Sequence, residues 1–390
     1  MRKMIALLSV LVLFISLAAG IFTGCDVRGE GTEPVPETTL PIESNRKVAL
    51  ITDYGNIDDM EYNQAVYEAA KDWCEEHKVD FTWYKPTGDS TMERVEKIEQ
   101  AAEEGCNVLL LPGYVFAGAI EETVEQYPDI QFVALDVSEY DLQDARGTAY
   151  DFSWQYPANL YSCVYRAEQA GYLAGWAAVK LGYTKLGFMG GMAVPEVVRY
   201  GYGFVQGAND AAAELGNQSE IELKYIYNNT FCPGDFLDES TKWYEEGTEV
   251  ILGCGGYAWL EVAEAAKNTG GKLIGVDLDV APIIEAKYGA GLTLTSAMKN
   301  LGVTVRTQLD RIALGSFEGG RVELLGIVSD DPAENYVGLS ASTQWNEGFT
   351  EADCRALTAE LCTGKRTVSD DVENPPAVGI AVDYLGNIKH

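Results

Sequence analysis

The sequence predicts an α/β protein built as two doubly wound parallel-sheet lobes in series. Three observations carry that prediction: apolar runs of strand length alternate with helical patterns, several runs are apolar at every position, and the alternation restarts about midway. At 390 residues, 47% of them hydrophobic, the chain can fill about two packed cores.

The first run, 47–52 (KVALIT), reads as a buried strand, and Asp58 then caps a helix in which Tyr62, Val66, Ala69, Ala70 and Trp73 recur at helical spacing. A strand over 79–85 and a charged helix over 90–104 follow. The run 108–113 (VLLLPG) is continuously apolar, as central parallel strands are, and a helix over 116–126 leads to a strand over 131–136. After a junction near 152–157 a long helix is expected over 160–181, where Ala170, Gly171, Ala174 and Gly175 permit close packing on another helix. Strands over 185–189, 221–227, 250–253 and 273–277, with a helix over 196–215, continue the second lobe. Lobe one is expected to comprise 45–155 with 280–328, and lobe two 156–279 with 329–370. The chain would cross between them near 152–157, 279–283 and 328–332. Residues 371–390, with Pro375-Pro376 and a strand-like stretch over 377–383, form a C-terminal extension.

Charge excludes whole classes of partner. With 28 Lys+Arg against 60 Asp+Glu the formal net charge is −32, and no basic run offsets it, so nucleic acid is not an expected partner. Only 2 histidines are present and His390 is terminal, which leaves His77 as the one internal histidine. Ser-His-Asp chemistry and histidine-rich zinc sites are therefore not expected, and no metal or cofactor is.

The chain opens with Arg2 and Lys3, an uncharged apolar run over 4–24, and Cys25: a basic n-region, an apolar h-region and small residues before a cleavage point. Phe22-Thr23-Gly24-Cys25 resembles a bacterial lipobox, which makes residues 1–24 a lipoprotein signal peptide and Cys25 the lipidated residue. An uncleaved anchor helix is the competing reading, and either leaves the remainder tethered outside the cytoplasm. Residues 25–44, with Pro34, Pro36, Pro41, threonines and acids, read as a flexible acidic stalk. Seven cysteines remain beyond Cys25, an odd number, so at least one is unpaired within the chain, and most are expected as small buried hydrophobes.

Ligands of open parallel sheets bind outside the carboxyl ends of strands, so the residues just past each run are the candidates. These are 53–56 (DYGN), 112–114, 136–138 (DVS), 190–192 (GGM), 255–257 (GGY) and 277–279 (DLD). Glycines let backbone approach a ligand, carboxylates accept from hydroxyls, and aromatic rings give stacking faces. That set suits a neutral, hydroxyl-rich ligand with an aromatic ring; crowded acids and the absence of a P-loop GKS/T do not suit a phosphate.

The stretches 52–64 (TDYGNIDDMEYNQ), 187–192 (GFMGGM) with Pro195 and 200–204 (YGYGF), and 274–279 (IGVDLD) with 294–299 (LTSAMK) resemble, in order, motifs of the basic membrane protein (BMP) lipoproteins, the purine nucleoside receptor-like family. The resemblance covers about residues 46–370. It implies the periplasmic-binding-protein type I fold and a monomeric substrate-binding component of a nucleoside ABC importer, with permease and ATPase partners and no catalysis. It further implies that Asp53 accepts from base or ribose, with Asn63 in the same motif, and that Tyr62 stands where the family has Phe as one stacking wall. Tyr200 or Phe231 is the second wall, Asp136 contacts the base, Asp277 holds ribose hydroxyls with Lys299 as its positive partner, and Gly255 and Gly256 offer backbone groups.

Plainer roles stand beside these. Asp58 caps a helix, Asp53 and Asp277 sit where turn residues are common, Tyr62 has core spacing, and Lys299 could be a solvated helix residue. Asp53 to Asp59 also resembles the calcium-binding start of nucleoside hydrolases, but the first Asp of that pattern is missing and an extra residue follows Gly55. A membrane-receptor sensor with the same closing lobes is a further alternative.

Overall fold

The computed structural model describes residues 45–58, 62–147, 155–230, 234, 236–256 and 258–388. The signal peptide, Cys25, the stalk, Phe231 and His390 lie outside the described residues. In chain order the first part runs β1 (Lys47–Ile51), α1 (Tyr62–His77), β2 (Asp80–Tyr84), α2 (Thr91–Glu103), β3 (Val108–Pro112), α3 (Ala117–Thr123), β4 (Gln131–Leu135), α4 (Glu139–Ala145) and β5 (Leu160–Tyr165). Next come α5 (Ala167–Lys180), β6 (Lys185–Gly190), α6 (Pro195–Leu215), β7 (Glu222–Tyr227), α7 (Phe236–Glu245), β8 (Val250–Cys254), α8 (Ala258–Thr269), β9 (Lys272–Asp277), α9 (Ala281–Tyr288) and β10 (Thr293–Lys299). The chain ends with α10 (Leu301–Ala313), β11 (Arg321–Leu325), β12 (Val337–Leu339), α11 (Glu351–Cys362) and β13 (Ala381–Asn387).

Two sheets result, ordered β11-β5-β4-β3-β1-β2 and β12-β10-β9-β8-β6-β7-β13. Every strand pair is parallel except β10 with β12. The central strands are those that read as uniformly apolar: VLLLP of β3 is buried at every position, because helices cover both faces. Local chemistry sets the helix starts. Ser90 opens α2 and Ser138 opens α4 with reciprocal capping boxes to Glu93 and Asp141.

The expected lobe boundaries need correction. LYSCVY at 160–165 is not the start of a long helix but strand β5, paired with β4 and β11 in the first sheet. Its apolar run adjoins α5 at Arg166 without a glycine or proline, which hid the change from strand to helix. Likewise β10 belongs to the second sheet, beside β9, and not to lobe one. The chain therefore crosses between sheets at 165–167, 299–301 and 325–337, and only the third crossing coincides with the expected positions. The C-terminal extension is part of the second sheet, since β13 pairs with β7 as the edge strand and Ile380 is buried.

Helices α5 and α6 touch backbone to backbone. A Cβ at Gly171 or Gly175 would lie 2.1 Å from the carbonyl oxygen of Tyr200 or Phe204, and one at Gly203 would lie 2.2 Å from that of Glu168. No side chain larger than hydrogen fits at these positions, and this contact sets where α6 holds Tyr200. Among the described residues Cys74, Cys106, Cys163, Cys254 and Cys354 are buried free thiols and Cys362 is a half-buried one. His77 ends α1 with its ring stacked on Trp73 at 4.4 Å.

Candidate functional site

Three strand ends and the starts of two helices bring five of the predicted residues together. Asp136 follows β4 directly, Asp277 ends β9 and Lys299 ends β10, while Tyr62 begins α1 and Tyr200 sits in the second turn of α6. The β9/β10 register sets Asp277 opposite Met298, one residue before Lys299. Asp136 and Asp277 share an unusual backbone, with φ of 61° and 62°. Aspartate tolerates this left-handed region better than most residues, and the strain of about 1 kcal/mol each turns the carboxylate at the strand end.

Lys299 is the centre of the cluster. It is 4% exposed, and its Nζ donates to Asp136 Oδ2 at 2.5 Å and to the Tyr62 hydroxyl oxygen at 3.3 Å, with Asp277 Oδ1 3.8 Å away. Three rings surround the ammonium, those of Tyr62, Tyr165 and Tyr200 at 5.6, 5.7 and 5.5 Å from their centroids. The Tyr62 hydroxyl donates to Asp136 Oδ2 and the Tyr200 hydroxyl to Asp277 Oδ1, the latter at 3.0 Å. Each carboxylate thus has one oxygen engaged. Oδ1 of Asp136 is out of solvent and has no hydrogen-bond partner among the described residues.

The protonation states follow from burial set against these neighbours. Burial pulls the Lys299 ammonium down, but Asp136, Asp277 and Glu196 outweigh it and hold the group well above its usual range. Burial raises Asp277, with Lys299 opposing and Asp136 adding to the rise. Tyr62 and Tyr200 are raised well above the phenol range by burial and by the nearby carboxylates, so both hydroxyls remain donors.

Asp53 and Asn63 form a separate pair. Asn63 Nδ2 donates to Asp53 Oδ1 at 2.9 Å, and the same oxygen accepts from the backbone of Tyr54 and Gly55 at 2.5 and 2.6 Å. Asp53 therefore braces the loop after β1, the turn role weighed for it above. Gly255 and Gly256 turn the chain after β8 with φ of 98° and 53° and bring backbone, not side chains, to that strand end. Lys299 is a buried strand terminus and not a solvated helix residue.

Two residues at the site went unrecognised in the sequence. Tyr165 was concealed in the run read as helix; its hydroxyl donates to Thr304 at 2.8 Å and its ring faces Lys299. Glu196 opens α6 beside Pro195, and burial and Asp136 push its carboxyl up to about 7 against the pull of Lys299 and Arg199. A glutamate in a first helical turn reads in sequence as a response to the helix dipole, so nothing marked it. Among the described residues no group of three or more His, Cys, Asp or Glu side chains is placed to hold a metal ion.

A family model described as "ABC transporter substrate-binding protein PnrA-like" matches residues 46–348. Basic membrane protein A1 of Borrelia garinii subsp. bavariensis is 27% identical over 325 residues, covering 81% of this chain and 85% of that protein. The ABC transporter nucleoside-binding protein BmpA of Lactococcus lactis subsp. cremoris is 24% identical over 308 residues, 73% of this chain and 80% of that one. Among solved structures, an ABC transporter solute-binding protein from Conexibacter woesei has a TM-score of 0.66 at 21% identity, covering 83% of this chain and 99% of that chain. One from Aeropyrum pernix K1 has a TM-score of 0.59 at 20% identity, with 84% and 88% covered. These likenesses carry the two-lobed periplasmic-binding-protein type I fold. With a family match running from β1 through β12 and the motif residues gathered around Lys299, the chain belongs to the PnrA-like family of ABC transporter substrate-binding proteins.

Proposed function

We propose that the chain captures a purine nucleoside such as guanosine, adenosine or inosine between its two lobes and delivers it unchanged to an ABC permease and its ATPase. One observation carries the reading: a buried lysine shared by two strand-end carboxylates, with the rings of Tyr62 and Tyr200 flanking it. Flat rings stack a base, adding on the order of 0.5–1.5 kcal/mol per face beyond burial. Asp277 accepts ribose hydroxyls while Lys299 donates to them. Asp136 faces the base, Asp53 and Asn63 hold the loop that covers it, and Gly255 and Gly256 approach with backbone. Bending at the three crossings closes the lobes, the permease selects the closed form, and the chain works as a monomer. Cys25 carries the lipid that tethers the protein to the outer face of the cell membrane.

The test is calorimetric titration with a panel of nucleosides, free bases and sugars, followed by chromatography of each nucleoside after incubation. Binding confined to nucleosides, all recovered intact, is the expected result. Tight binding of a sugar alone overturns the ligand assignment, and release of free base overturns transport in favour of hydrolysis.

A further inference from the structure

On α6, positions 196, 199 and 200 are spaced i, i+3 and i+4, so Glu196 and Arg199 share the helix face that sends Tyr200 to Lys299. The charges acting on Glu196 come from four elements: Asp136 after β4, Lys299 at the end of β10, Arg199 on its own helix and Glu168 on α5. Its Oε2 is out of solvent with no hydrogen-bond partner among the described residues, as is Oδ1 of Asp136, whose side chain is only 9% exposed. Buried carboxylate oxygens without donors are costly in the ligand-free chain. They become favourable when a ligand supplies the donors. Asp136 and Asp277 flank one ammonium, and Glu196 acts on it from the start of α6; hypoxanthine offers the open oxygens only its ring N–H, whereas an exocyclic amino group offers a further donor.

We propose that Glu196 is a third ligand-contacting carboxylate, and that with Asp136 it selects nucleosides whose base carries an exocyclic amino group over those with an oxo group alone. The inference rests on the nucleoside reading above and names the specificity of that same site. A site built to accept from a donor discriminates strongly against an analogue lacking it, because its own polar atoms are then left unpaired.

The test is calorimetric titration of the full-length chain in detergent with adenosine, guanosine and inosine, for wild type, Glu196→Met and Glu196→Gln. The better-bound amino nucleoside is expected to bind wild type at least about tenfold tighter than inosine. Glu196→Met is expected to cut that preference to within about threefold, and Glu196→Gln, which keeps a carbonyl acceptor, to recover part of it. A second readout needs no variant. A carboxyl near neutrality that gains a donor from the ligand gives up its proton, so titrations near pH 6.5 in buffers of different ionisation enthalpy will show proton release with the amino nucleoside. A wild-type preference below about threefold, or proton exchange near zero, overturns the proposal while the nucleoside reading stands. If no nucleoside binds wild type, both fall together.

Discussion

Lys299 Nζ lies 2.5 Å from Asp136 Oδ2, so a base that ends a strand of the second sheet is ion-paired, out of solvent, with an acid that follows a strand of the first. Removing one member of a buried pair leaves the other uncompensated, at about 3–5 kcal/mol. Lys299→Met is therefore expected to lower unfolding free energy by about that amount in urea denaturation and to abolish ligand binding. Combined with Asp136→Asn it is expected to regain most of the stability and none of the binding. A single variant as stable as wild type would show the pair to be dispensable.

The tyrosine hydroxyls and rings can be separated. Tyr200→Phe keeps the ring and frees Oδ1 of Asp277, whose side chain is 23% exposed, so a loss of about 1 kcal/mol in stability is expected with ligand affinity kept within about tenfold. Tyr200→Ala also removes the stacking face and is expected to weaken binding by at least a further factor of about ten. Equal affinities for the two variants in calorimetry would remove Tyr200 from the stacking role.

The α5/α6 contact makes a steric prediction. Gly203→Ala forces a Cβ to within 2.2 Å of the Glu168 carbonyl oxygen, so the helices must part, at about 1–3 kcal/mol, and carry Tyr200 away from Asp277. Gly302→Ala on α10, where the nearest atom is 3.5 Å away, is expected to be neutral or slightly stabilising. Thermal melts of the two variants check the contrast.

Stability will depend on pH through Glu196. Burial and Asp136 raise its carboxyl from the usual glutamate range to about 7, so the folded chain holds this proton more tightly than the unfolded one. The resulting stabilisation is complete below the unfolded value and is lost as pH rises through about 7, a fall on the order of 3 kcal/mol. Asp277, raised in the same direction, leaves a residual slope. Urea denaturation from about pH 4 to 8 is expected to show a shallower fall for Glu196→Gln than for wild type; parallel curves would contradict the placement of this group.

Much of this site was legible because a parallel sheet announces its own ligand edge. Asp136, Asp277 and the glycines after β8 follow apolar runs unmistakable as central strands, and the motif resemblance added Tyr62, Tyr200 and Lys299. The misreadings have physical causes. The strand LYSCVY abuts the apolar helix α5 with only Arg166 between them, so periodicity over 160–181 could not mark where one ended. Misplacing that strand moved a lobe boundary and concealed Tyr165. Glu196 was invisible for another reason: the charges that act on it, Asp136 after β4 and Lys299 at the end of β10, are far from it in sequence. The pairing of Asp53 with Asn63 is likewise a contact between a loop and a helix, which a reading along the chain does not reveal.

The central claim is that the cluster around Lys299 is a nucleoside site, and calorimetric titration of guanosine, adenosine and inosine against wild type and Asp277→Ala tests it most directly. At least one nucleoside is expected to bind wild type tighter than about 10 μM, and Asp277→Ala to weaken it at least about tenfold while thermal unfolding shows the variant folded. Binding no better than millimolar for every nucleoside, or a folded Asp277→Ala that binds as wild type does, would contradict the account.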